Sequence, residues 1–116
     1  MRGTDQAYGL AKKYKIKVAF GTDVVLNPAE TLRQGQDLVN LTAWYTPVEA
    51  LRMATGGNAE LLALSGKRTP YEGKLGVIEN GALAGLIIVD GDPIADIKLV
   101  ADPAKNFVLT MKDGVV

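Results

Sequence analysis

The stretch Lys17-Val18-Ala19-Phe20-Gly21-Thr22-Asp23 limits the folds open to this chain more than any other. Ile16 to Phe20 is short and mostly apolar on both faces, which predicts a strand inside a parallel sheet. Gly21-Thr22 then stops the run at a carboxylate, Asp23. Upstream, Thr4 or Asp5 can cap a helix over residues 4–14. In it, Ala7, Leu10, Ala11 and Tyr14 fall at i, i+3, i+4 and i+7. A helix followed by a buried strand is half of an α/β repeat. Enzymes with that architecture place catalytic groups at the carboxyl ends of their strands.

Further helical signals follow. Asn27-Pro28 marks a loop. Asp37 to Trp44 predicts a helix, with Leu38, Leu41, Thr42 and Tyr45 on one stripe. Thr46-Pro47-Val48-Glu49 combines an N-cap, a proline at the first helical position and an acid three residues after the cap, so a helix should run from there to about Ala54. Thr55-Gly56-Gly57 is expected to break it. Asn58 can cap one more helix, Ala59 to Leu64, ended by Gly66.

After Ser65 the helical period vanishes and glycine and proline recur. Leu86-Ile87-Ile88-Val89 reads as a strand stopped by Asp90-Gly91-Asp92-Pro93, and Phe107 to Met111 as a second. Lys112-Asp113-Gly114 follows as a turn. A chain that stops two residues past this glycine is expected to be cut short. The organisation is thus an α/β part over residues 1–65 and a small β part over residues 66–116.

Composition sets outer limits. With 47% hydrophobic residues the chain can pack a core. Thirteen basic residues balance thirteen acidic ones, so no net charge draws it to nucleic acid or to an anionic membrane. No apolar run is long enough to cross a bilayer, and Met1 to Asp5 lacks the apolar stretch of a secretory signal. A cytoplasmic location is the default expectation. There is no cysteine and no histidine. Thiolate and imidazole ligands, on which catalytic zinc sites draw, must therefore come from elsewhere.

By residue type alone, Asp23 has two readings: an acid presented at a strand tip, or a residue that ends a strand or caps a turn. Thr22 can hydrogen-bond near it or simply suit a strand. Glu49 is a capping acid, Arg52 and Glu60 are surface or salt-bridge groups, and Asp90 and Asp92 serve turns. Trp44 and Tyr45 are core or interface aromatics, because no basic patch accompanies them.

The order of these motifs resembles the C-terminal end of the metal-dependent amidohydrolase superfamily, in its imidazolonepropionase and prolidase-like branch. The matching residues are Gly21-Thr22-Asp23, then Thr46 to Thr55 with Asn58-Ala59-Glu60. Gly76 to Gly81, Leu86 to Pro93 and Met111 to Gly114 complete the match. Gln34-Gly35 stands where many relatives have His-Gly, and Gly85 where they carry aspartate.

The resemblance implies the last strand and helices of a (β/α)8 TIM barrel, followed by the C-terminal part of a small β-sandwich. It makes Asp23 both a metal ligand and the acid that takes a proton from the metal-bound water. It implies a divalent metal, Zn²⁺ by preference, in the full-length parent, with none bound by this chain alone. The remaining ligands would come from earlier strands.

Two expectations follow. The parent would hydrolyse carbon–nitrogen bonds of small amides, cyclic amides or dipeptides, with the isolated chain inactive. Alternatively, the chain is a non-catalytic assembly piece that forms a homo-oligomer or pairs with a partner carrying the rest of the barrel. A nucleotide-binding module is disfavoured, since neither a Gly-x-Gly-x-x-Gly after a strand nor a phosphate loop is present.

Overall fold

The computed structural model of the chain describes residues 2–24 and 27–116. Helix α1 spans Arg2–Lys13. It ends in a Schellman-type cap: the Ile16 N–H donates to the Ala11 carbonyl at 2.8 Å and the Lys15 N–H to the Lys12 carbonyl at 3.2 Å. That cap puts Lys15 at φ 52, a conformation glycine usually supplies. Because α1 begins at Arg2, Thr4 and Asp5 lie inside it rather than at its cap. Its expected apolar stripe is only partly buried. Ala11 is enclosed and Tyr8 is half-buried, whereas Leu10 and Tyr14 face solvent.

Asn27 caps a short helix that its own loop signal did not reveal, α2 at Pro28–Thr31, by accepting from the Ala29 N–H at 3.1 Å. Helix α3 covers Gln34–Asn40 and tightens into a 3₁₀ turn at Leu41–Ala43. Helix α4, Pro47–Arg52, carries the expected capping box. The Glu49 N–H donates to Thr46 Oγ1 at 3.3 Å, and Glu49 Oε2 accepts from the Thr46 N–H at 2.7 Å.

The glycine pair does not break the chain's helical course as expected. Met53–Gly57 forms a π-turn that runs directly into α5, Asn58–Ala63. Asn58 therefore has helical backbone angles and is not an N-cap. At Gly57 a side chain would be crowded by the turn's own backbone. A Cβ at Gly57 would lie 3.1 Å from the Arg52 carbonyl oxygen and 3.6 Å from that of Val18.

The expected strand Ile16–Phe20 lies outside any helix or sheet. A parallel strand takes its ladder bonds from neighbours, and the described residues hold no strand beside it. Both strands expected in the second half are present: β1, Leu86–Val89, and β2, Phe107–Met111. They pair antiparallel from Leu86 opposite Met111 to Val89 opposite Phe107, with a bulge that leaves Val108 unpaired. Asp113 and Gly114, at φ 52 and φ 80, form the tight turn that pairs Lys112 with Val115. Between the strands, a 3₁₀ segment at Ile97–Ala101 and helix α6 at Pro103–Asn106 were missed by the periodicity, because each is too short to show one.

The architecture is thus mixed α/β with a two-stranded antiparallel sheet. Its core joins Leu38, Val39, Leu41, Ala50 and Met53 to Ile97 and Val100, so both halves of the sequence contribute. Among the described residues, no helix is long and apolar enough to cross a membrane.

Candidate active site around Asp23

Residues 16–24 follow α1 as a segment outside any helix or strand. Val18 and Phe20 pack against the edge of the core. Phe20 is also tied by its backbone: its N–H lies 2.9 Å from Asn58 Oδ1 and 3.4 Å from the Met53 carbonyl oxygen. Three residues on, Asp23 is exposed and sits at φ 53. That left-handed conformation is uncommon for a side-chain-bearing residue, although aspartate tolerates it better than most.

Beside this segment lies a cavity of about 470 Å³. Phe20 and Thr22 line it, facing Tyr8 of α1, Arg33 and Asp37 near the start of α3, and Trp44. Asp23 is not part of the lining, though its neighbours Thr22 and Val24 are. The aromatic wall is built by stacking. Tyr8 lies 4.8 Å from Trp44, and edge-on to Tyr45 at 5.4 Å. Trp44 Nε1 donates to Asp5 Oδ1 at 2.9 Å. The cavity is mixed in charge, with Arg33 against Glu30 and Asp37, so no single sign of ligand is selected.

The other acids take ordinary roles. Glu49 is engaged by the Thr46 N–H and hydroxyl, and the backbone bond above all holds its carboxyl below the usual glutamate range. Glu60 receives Lys17 Nζ at 2.5 Å in an exposed pair. Asp92 Oδ1 accepts from the Ile94 N–H at 2.8 Å, and Gly91 takes φ 118, which is turn chemistry. The sequence carries no sign of Asn58 as a holder of this segment, since nothing local signals a bond to a residue so far back in the chain.

Among the described residues, no three of His, Cys, Asp and Glu cluster so as to hold a metal ion. A catalytic zinc takes about three protein ligands. The described residues do not by themselves fit one.

The sequence profile of the amidohydrolase family matches residues 2–116. The chain belongs to that family. Among solved structures it is similar to an amidohydrolase at 30% identity and TM-score 0.77. It is also similar, at 29% identity and TM-score 0.76, to a prolidase crystallised with N-methylphosphonate-L-proline. In each case 94% of this chain aligns with 24% of the solved one. The chain therefore spans about a quarter of the length of those relatives. No curated protein matches it.

Proposed function

We propose that this chain is the C-terminal part of a metal-dependent hydrolase of carbon–nitrogen bonds, with Asp23 as its acid. In this reading residues 1–65 give the last strand and helices of a (β/α)8 barrel, and residues 66–116 the C-terminal part of a β-sandwich. The observation that carries it is the family match over residues 2–116 together with Gly21-Thr22-Asp23 at the end of an apolar segment. The prolidase likeness favours small amides and dipeptides as substrates.

When bound by the rest of the protein, a divalent ion would supply an activated water. Asp23 contributes a carboxylate free of partners among the described residues, and its exposed oxygens can accept a proton from water and return it to a leaving nitrogen. The test is hydrolysis of an amide and dipeptide panel with Zn²⁺. A full-length protein carrying this sequence should turn over one or more members and lose that turnover with Asp23→Asn. The 116-residue chain alone should not. Full activity in the Asp23→Asn protein would overturn the assignment.

A second reading, that the chain acts as an assembly piece, is favoured by its surface. It exposes 8861 Å², against roughly 6,100 Å² expected for a folded monomer of this mass. Ile78 is 94% exposed, and Leu32 and Leu64 are also in solvent. Such faces favour self-association or pairing with a chain that carries the remaining barrel. Light scattering over a concentration series decides it, and a monomer at high concentration would count against it.

A further inference from the structure

We propose that Asn58 is a positioning residue for Asp23, acting through the backbone of Phe20. The inference rests on the reading of Asp23 given above. Asn58 Oδ1 accepts the Phe20 N–H at 2.9 Å, while its Nδ2 points back to the Ala54 carbonyl at 3.4 Å. The second contact orients the amide, so that its oxygen faces Phe20. The same N–H also approaches the Met53 carbonyl at 3.4 Å, the first carbonyl of the π-turn.

The turn that presents these acceptors is held on two sides. Gly57 abuts the Val18 carbonyl, and on the other side Gly76, at φ 68, packs so tightly that a Cβ would fall 2.5 Å from the Thr55 carbonyl oxygen. What holds the Asn58 side chain is its two hydrogen bonds, to the Phe20 N–H and to the Ala54 carbonyl.

Gly21, Thr22 and Asp23 make no hydrogen bond to the described residues. Among the described residues, the Phe20 N–H is therefore the last backbone tie before the acid. Three residues span at most about 11 Å, so the Phe20 tie sets the outer limit of the carboxylate's reach and the direction from which the segment leaves the helices. Asparagine suits this task because it offers an acceptor and a donor on one short, planar group.

The test uses the whole chain and two variants. Asn58→Leu removes the acceptor while keeping bulk, and Asn58→Asp keeps an acceptor. Amide hydrogen exchange and residual dipolar couplings are measured by NMR. In Asn58→Leu the Phe20 amide should exchange about tenfold faster, and the couplings of Gly21 to Asp23 should shrink by averaging. Amides of β1 and β2 should change by less than about twofold. Asn58→Asp keeps the acceptor for Phe20 but loses the donor to Ala54, so it should restore both signals in part, falling between Asn58→Leu and the parent.

Wild-type exchange at Phe20 in Asn58→Leu, or an equal acceleration at every core amide, would overturn the inference. If Asn58→Leu does not fold, Asn58→Ser, whose hydroxyl is too short to reach Phe20, replaces it with the same expected outcomes. Failure of the underlying reading appears separately, as unchanged turnover with Asp23→Asn in the full-length protein, whatever the exchange data show.

Discussion

Gly35 on α3 and the carbonyl of Val100 are in such close contact that a Cβ on the glycine would fall 2.0 Å from the Val100 oxygen. This contact lets α3 lie directly on the 3₁₀ segment Ile97–Ala101, which places Leu38 and Val39 in one core with Ile97 and Val100. Backbone, unlike a flexible side-chain tip, cannot yield cheaply. Gly35→Ala should therefore cost about 2 kcal/mol or more, through forced separation of the two elements. The check is a thermal melt followed by circular dichroism, in which a midpoint lower by roughly 10 °C is expected. A melt like that of the parent chain would mean the two segments separate easily.

The same glycine shows what the sequence could and could not tell. In the sequence, Gln34-Gly35 stands out only as a departure from a His-Gly pair in relatives. Its physical role depends on Val100, far along the chain, and leaves no local signature. Elements fixed by neighbouring residues were legible. Thr46 to Glu49 announced a capped helix, and the β-branched run Leu86 to Val89 and the apolar stretch Phe107 to Met111 announced strands. Elements fixed by distant partners were not. Ile16 to Phe20 has strand composition, but strand character requires adjoining strands. Gly56-Gly57 reads locally as a break, yet in the fold the pair continues the helical course as part of the π-turn Met53–Gly57. At the candidate site, motif order in the sequence points to Asp23 as the acid of the proposed reaction. Its connection to Asn58 became visible only in three dimensions.

The capping box of α4 makes a prediction about acid. Thr46→Ala should lower stability by about 1 kcal/mol at neutral pH, measured as a shift in denaturant midpoint. The Glu49 carboxyl is held below the usual glutamate range by the Thr46 backbone N–H first, then by the Thr46 hydroxyl, with Lys12 adding to it. Because the folded-state value is the lowered one, this contribution is present above the ordinary glutamate range. It is lost as pH falls through the lowered value. Glu49→Gln should thus be less stable than the parent at neutral pH, and the gap should close on acidification. Solvent screens so exposed a group, so the gap is small. A gap that widens in acid would contradict the role assigned to Glu49.

Tyr45 sets the opposite dependence. Its hydroxyl oxygen is enclosed, with no hydrogen-bond partner among the described residues. Burial, then Tyr8 and Glu49, push the phenol above the usual tyrosine range. The folded chain therefore holds the proton when the unfolded chain has begun to lose it, and stability falls as pH rises through the alkaline range. Tyr45→Phe removes an unsatisfied polar atom and should leave stability unchanged or raise it by about 1 kcal/mol. The ring contact with Lys12 Nζ, 4.7 Å from the centroid, survives the change. Urea midpoints at neutral and alkaline pH should show the variant losing less stability than the parent. A destabilised variant at neutral pH would mean that the hydroxyl has a partner after all.

Lys15 offers a gain. It occupies the left-handed position of the α1 cap at φ 52, where the backbone bonds of Lys15 and Ile16 close the helix. A residue with a Cβ pays about 1–2 kcal/mol there, whereas glycine pays chiefly in unfolded-state entropy, about 0.5–1 kcal/mol. The side chain is exposed and makes no ion pair or hydrogen bond among the described residues that would be lost. Lys15→Gly should therefore stabilise the chain by several tenths of a kcal/mol, on the order of half the left-handed cost. Lys15→Ala, which keeps the Cβ, should change little, so comparing the two variants in urea isolates the backbone conformation from the lost charge. Equal midpoints for the glycine and alanine variants would show that the cap does not impose the left-handed angle in solution.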